Sequence, residues 1–136
     1  MKVSGCIVTY NGGEEVVSCI ESILSYTKNV DFTLYVSDNA STDNTVELIK
    51  HHFPQVIVLE NEKNGGFGYR HNQVIPLIDS DYHGVINPDI IIDSDVISDL
   101  ANYLQKHNQI GLITPKILNP DGSEQYLPKR NPKFSY

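Results

Sequence analysis

Apolar and polar positions along this chain switch repeatedly between the period of a strand and the period of a helix. Val3 to Tyr10 (VSGCIVTY) is a run of small and apolar residues, as a strand buried on both faces requires. Val16, Val17, Ile20, Ile23 and Leu24 then recur at i, i+1, i+4, i+7 and i+8, which predicts an amphipathic helix. Glu14 and Glu15 fall in its first turn, where the helix dipole favours acids. Phe32 to Ser37 reads as a second strand. A second helix carries Val46, Ile49 and Phe53, starts in a Ser/Thr/Asp/Asn cluster and ends before Pro54. Ser41, Asp43 or Asn44 can cap it, and Asn44 with Glu47 fits a capping box.

Val56 to Leu59 predicts a third strand. A third helix is expected over Tyr69 to Ile78, kinked or shortened by Pro76. Gly84 to Ile86 is a fourth strand. A fourth helix runs from Ser94 to Lys106, with Val96, Ile97, Leu100, Ala101 and Leu104 inward. Ile110 to Thr114 reads as a fifth strand, and the Pro and Gly punctuation around Asp121-Gly122 as a hairpin. Strands alternating with helices predict a mostly parallel sheet covered on both faces, of order 3-2-1-4 at its centre. Ligands of such sheets lie at the carboxyl ends of strands, at the switch point of strand order. There is no internal repeat.

Length narrows this to one domain over residues 1–136, and the composition is that of an ordinary globular chain. No apolar run reaches the roughly 18–20 residues that cross a bilayer, and the N-terminus has no signal-peptide pattern, so a cytoplasmic location is expected. Cys6 and Cys19 lie among apolar residues and are expected to be reduced packing residues. The net charge of −7 argues against nucleic acid as a partner. A polyphosphate ligand would need its charge offset by a divalent cation, backbone amides or a few placed Arg and Lys residues.

The candidate chemistry follows the strands. The first ends in Thr9-Tyr10-Asn11-Gly12-Gly13, which alone is a turn into a helix. The second ends in Ser37-Asp38-Asn39-Ala40-Ser41-Thr42-Asp43. Capping explains much of that run but not Asp38, whose carboxylate could accept from a pyrimidine N–H or a ribose hydroxyl. Asn64-Gly65-Gly66-Phe67-Gly68-Tyr69-Arg70-His71-Asn72 is a glycine-dense turn without Rossmann or Walker A spacing. Either a structural turn or a site fits it. Asn87-Pro88-Asp89 ends the fourth strand, and Asp89 suits an oxygen-preferring cation such as Mg2+ or Mn2+, though a solvated loop acid fits as well. His51, His52, His83 and His107 read as structural or solvent-facing.

Together these runs resemble family-2 glycosyltransferases, and most of all the rhamnosyltransferase-like members. VTYN matches the family's opening, DNASTD (Asp38 to Asp43) its end of strand 2, and Asn64, Gly66, Phe67, Asn72 and Gln73 its N-x-G-F…N-Q segment. NPD at 87–89 stands at the DxD-type position, and PKILNPDGSEQ (Pro115 to Gln125) resembles the segment after the fifth strand. The resemblance implies a three-layer α/β/α GT-A fold and a nucleoside-diphosphate-sugar donor. It also implies a saccharide or lipid-linked acceptor and a role in surface-polysaccharide synthesis. Asp89 would bind the divalent metal. Thr9, Tyr10, Asn11, Asp38, Asn39, Gly66, Phe67, Arg70, Asn72 and Asn87 would line the donor site. Thymidine-diphosphate-rhamnose is the donor suggested by the subgroup, with uridine-diphosphate sugars close behind.

The chain departs from the pattern at Asn87, which replaces the first acid of DxD, and at Arg70, His71 and Val74. The family's catalytic acid lies beyond NPDGS, so no catalytic base is expected within this chain, and Asp121 is no substitute. The segment from Pro120 to Tyr136, with Lys129 and Arg130, is too short for an acceptor wall. Donor binding without transfer is therefore expected. Apolar residues Ile117, Leu118, Tyr126 and Leu127 suggest self-association, and the full-length enzyme is expected at the inner face of the membrane. Two alternatives remain open here: a nucleotidyltransferase, and a non-catalytic nucleotide- or protein-binding partner domain.

Overall fold

The structure is a computed structural model, and it describes residues 1–125. Strands β1 (Lys2–Thr9), β2 (Asp31–Asp38), β3 (Ile57–Glu60) and β4 (Tyr82–Ile86) form one parallel sheet of order β3-β2-β1-β4, as the alternation predicts. The helices are α1 (Gly13–Tyr26), α2 (Thr45–His52), α3 (Phe67–Asn72) and α4 (Val96–Lys106).

β1 is central, and every residue from Val3 to Thr9 is buried. The pleat sends alternate side chains to opposite faces. Ile7, Leu34, Val36 and Ile86 meet Val16, Ile20 and Ile23 of α1 and Ile49 of α2, with Ile97 of α4 packed against the same cluster. Cys6, Val8 and Tyr35 point the other way, onto Val74 just beyond α3. The result is three layers, with α1, α2 and α4 on one face and α3 on the other. Each apolar side chain fully buried here contributes about 1.5–3 kcal/mol. Both cysteines are free and buried. Burial pushes the Cys6 thiol up to about 11 and the Cys19 thiol up to about 12, which keeps both protonated and inert.

Several local expectations are corrected. The third helix starts at Phe67 and stops at Asn72, followed by a 3-10 turn over Ile75–Leu77. Pro76 has no N–H to offer the Asn72 carbonyl, so the α-helix cannot continue through it. The capping box at α2 does not form. Asn44 is the N-cap, but at φ −86°, ψ 17° its backbone lies outside the extended conformation that aims a side chain at the first turn. Asp43 Oδ1 takes the Thr45 N–H instead, at 3.0 Å.

Of the five residues expected inward on α4, only Ala101 is buried. Val96, Ile97, Leu100 and Leu104 line a 520 Å3 groove beside β4. The expected fifth strand at 110–114 forms no ladder among the described residues. A strand exists only through a neighbour's backbone, and this segment runs along the groove without pairing to β4. The hairpin forms as expected, with Leu118 bridging Glu124 around the Asp121-Gly122 turn. Tyr126, Leu127, Lys129 and Arg130 lie outside the described residues. Among the described residues no helix is long and apolar enough to cross a membrane.

Candidate functional site at the carboxyl edge of the sheet

Parallel pairing brings the carboxyl ends of β1, β2 and β4 to one edge. Thr9 is the register partner of Asp38 on one side of β1, and Ile7 partners Ile86 on the other. Two of the expected loops are stitched together there. Asn11, at φ +51°, donates its N–H to Ser41 Oγ (2.8 Å) and accepts at Oδ1 from the Thr42 N–H (2.8 Å). Gly13 N–H donates to Thr45 Oγ1 at 2.9 Å. Asn39 N–H donates to the Thr9 carbonyl at 2.8 Å. Thr9 is 1% exposed, and its hydroxyl has no partner among the described residues. A Cβ at Gly12 would come within 2.4 Å of that hydroxyl, so the first loop can fold over Thr9 only with glycine there.

Asp38 ends β2 and is buried at 3% exposure. Its Oδ1 accepts the Ser41 hydroxyl at 2.6 Å and its Oδ2 the Ser41 N–H at 2.9 Å, a local turn that holds the DNASTD loop. Each oxygen keeps a further lone pair for a ligand.

The glycine-rich loop joins through Asn39. Asn39 Nδ2 donates to Asn64 Oδ1 (3.1 Å) and the Gly65 carbonyl (2.8 Å). Its Oδ1 accepts from Gly65 N–H (2.6 Å) and Arg70 Nε (3.0 Å). The Asn39 amide therefore has its full complement of partners within the protein. Arg70 is buried rather than facing the crevice, with Nη1 on Asn61 Oδ1 (2.9 Å) and Nη2 on the Lys63 carbonyl. These two side chains, expected at the donor, point into the scaffold. Gly66, Phe67 and Asn72 are exposed. Asn72 closes α3, one turn or more from the loop itself.

His71 is the buried residue that sequence reasoning left undecided. Neither ring nitrogen has a partner among the described residues, and the ring meets Phe67 edge-on with centroids 4.3 Å apart. Burial, and secondarily the neighbouring His83, hold its pKa below the usual histidine value. The sequence reading missed Asn61, which bonds Ser37 Oγ, the Asp38 carbonyl and Arg70. Its place directly after β3 was the available signal.

Tyr10, directly after β1, is exposed, as are Asn87 and Asp89 beyond β4 on the other side of β1. The Asn87 carbonyl accepts from Cys19 Sγ at 3.6 Å, tying the turn to α1. Asp89 and Glu15 both sit close enough to Cys19 to raise its pKa further. Asp89 thus lies on the α1 side of the sheet, the side to which the pleat also directs Asp38 after Leu34 and Val36. The Asp89 carboxylate receives no hydrogen bond from the described residues, which leaves it free to bind a cation. No group of three or more His, Cys, Asp or Glu among those residues could hold a metal by itself. Any ion at Asp89 would share its shell with a ligand and water.

Residues 4–135 match the family model described as glycosyl transferase family 2. The abequosyltransferase RfbV of Salmonella typhimurium is 32% identical over 137 residues, covering 96% of this chain and 41% of that one. The N-acetylglucosaminyl-diphospho-decaprenol L-rhamnosyltransferase of Mycobacterium tuberculosis is 29% identical over 128 residues, 85% of this chain and 41% of that one. The chain thus spans about two fifths of the length of these curated relatives. Among solved structures, Staphylococcus aureus TarS 1–349 in complex with UDP superposes at a TM-score of 0.71 and 23% identity, over 79% of this chain and 33% of that one. The mannosyltransferase PcManGT of Pyrobaculum calidifontis, in complex with GDP-Man and Mn2+, gives 0.68 at 16% identity, over 75% and 32%. These two likenesses establish the shared GT-A fold.

Proposed function

The chain belongs to glycosyl transferase family 2, and from that premise we propose that it is the donor-binding part of an inverting, metal-dependent sugar transferase. The observation that carries this reading is the placement of Asp38 and Asp89 at one edge and on one side of the sheet, across β1. A nucleoside diphosphate laid over Thr9 to Asn11 would meet Asp38 with its base or ribose. Its diphosphate would lie toward Asp89. Tyr10, Phe67 and Asn87 are exposed around that path and complete the lining. Asp89 would hold Mg2+ or Mn2+ together with diphosphate oxygens and water, and the ion would supply charge stabilisation for the departing diphosphate. TarS with UDP and PcManGT with GDP-Man and Mn2+ support a donor and an ion of this kind.

The acceptor is proposed to be a saccharide or lipid-linked sugar, handled at the cytoplasmic face of the membrane. Rhamnose is the proposed transferred sugar, a reading that the mycobacterial relative supports. Inversion needs an acceptor hydroxyl deprotonated by a carboxylate within about 3 Å. Asp38 and Asp89 are assigned elsewhere and Glu60, at the end of β3, is paired with Lys50, so no base is assigned among residues 1–125 and this chain is expected to bind donor without transferring it. A nucleotidyltransferase is disfavoured because exposed Glu14 and Glu15 open α1 where a triphosphate would need positive charge.

The test is a thermal-shift panel of UDP-, TDP- and GDP-sugars with and without Mn2+ or Mg2+. A ligand that binds only the folded state raises Tm with its concentration. A metal-enhanced rise with one nucleotide class is expected. No rise with any donor would overturn the reading. Acceptor-dependent release of nucleoside diphosphate by this chain would overturn the expectation that it does not transfer sugar.

A further inference from the structure

Arg70 is the one buried Lys or Arg among the described residues, at 6% exposure. Its three nitrogens reach Asn39 Oδ1, Asn61 Oδ1 and the Lys63 carbonyl. Those acceptors belong to the end of β2, the end of β3 and the start of the glycine-rich loop. The guanidinium therefore holds three separate pieces of the carboxyl edge in register. All three acceptors are neutral, and none of the ion pairs among the described residues involves Arg70. A buried charge without a counter-charge is costly, and folded proteins rarely keep one without a partner. In a chain of net charge −7, this cation sits directly beneath the loop that opens onto the crevice.

Gly65 carries the second half of the argument. A Cβ there would lie 3.0 Å from Arg70 Nε and 3.2 Å from Cζ and Nη2. The guanidinium is pinned by its three acceptors and has little room to retreat. The loop backbone thus rests on the face of the cation, with the Gly65 N–H and Arg70 Nε sharing Asn39 Oδ1.

We propose that Arg70 is a positioning residue for the donor's diphosphate. It acts from beneath the glycine loop, through Asn39 and Gly65, and through a positive charge that no acid of the described residues pairs with directly. The inference rests on the donor-site reading above and deepens it. It assigns to Arg70 the offset of diphosphate charge that an acidic chain needs, without direct contact.

The experiment compares nucleoside, nucleoside monophosphate and nucleoside diphosphate, of the base that the wild-type chain prefers among uracil, thymine and guanine, by calorimetry at two salt concentrations. Arg70→Gln removes the charge. Asn39→Asp keeps an acceptor for Arg70 Nε and the Gly65 N–H and places a carboxylate against the guanidinium, cancelling the charge without removing Arg70 at the cost of the Nδ2 bonds to Asn64 and the Gly65 carbonyl. In both variants diphosphate affinity should fall about tenfold and nucleoside affinity by much less. Higher salt should narrow the gap from wild type. Arg70→Lys, which keeps charge but not the planar fork, should recover part of the diphosphate-specific loss. Equal losses for nucleoside and diphosphate in whichever of the two charge variants folds would make Arg70 scaffold only and overturn the proposal. Unchanged diphosphate affinity would overturn it too. If wild type binds none of the three diphosphates, the donor-site reading itself falls, and this inference with it.

Discussion

Ser41 grips both oxygens of Asp38, its hydroxyl on Oδ1 at 2.6 Å and its N–H on Oδ2 at 2.9 Å. The acid proposed to read the nucleoside is thus also the acid that shapes the loop beside it. Asp38→Asn can keep both contacts by letting Nδ2 donate to Ser41 Oγ while Oδ1 accepts the Ser41 N–H, but it trades two charge-assisted bonds for neutral ones. It should destabilise the fold by about 1 kcal/mol. Donor affinity should fall alike with and without metal. Urea titration with calorimetry checks both, and a metal-dependent loss would count against the nucleoside role.

Among the described residues the Asp89 carboxylate has no hydrogen bond to lose, so its substitution separates binding from folding. Asp89→Ala should leave the urea midpoint within about 0.5 kcal/mol of wild type, as for surface changes generally. It should abolish only the increment in donor affinity that Mn2+ or Mg2+ adds. Equal losses with and without metal would remove Asp89 as the ligand.

Ala40 follows Asp38-Asn39 at φ +63°, in the left-handed region that costs a non-glycine residue roughly 1–2 kcal/mol. Ala40→Gly should relieve most of that strain. Part of the gain is offset by the greater freedom of glycine in the unfolded chain. A net stabilisation of about 0.5–1 kcal/mol is expected from chemical denaturation, with donor affinity kept.

His71 and His83 both carry pKa values lowered chiefly by burial. The unfolded chain therefore binds protons at these sites more readily than the folded one. Their neutral burial is fully accommodated above the unfolded value of 6.5, and stability falls as the pH drops through it toward the lowered folded values. Urea midpoints should decline from pH 7 to pH 5, and His71→Leu should flatten that decline while His83 retains its share. A wild-type profile flat over this range would show the rings to be accessible.

Much of the fold was legible because periodicity reports burial. The apolar run of β1 and the spaced isoleucines of α1 predict what the sheet and its first helix bury, and strand alternation gives the 3-2-1-4 order. Placing Asp38 and Asp89 after β2 and β4 follows from the same alternation. Polar side chains were harder, because their role depends on partners distant in sequence. Arg70 reads as a ligand contact beside a glycine-rich turn, yet its acceptors Asn39 and Asn61 lie 31 and 9 residues away. Asn44 has the residue type of a cap but not the backbone. The segment 110–114 has the composition of a strand, but composition cannot supply the neighbouring strand it needs.

The outer edge of β4 meets no strand among the described residues, and beside it Val85 is 64% and Leu112 84% exposed. An uncapped strand edge next to apolar side chains is a template for adding further strands, the geometry from which ordered aggregates grow. Among the described residues this border is therefore a place where copies of the chain can associate edge to edge. A lysine in place of Val85 is the gatekeeper change that would keep concentrated samples dispersed.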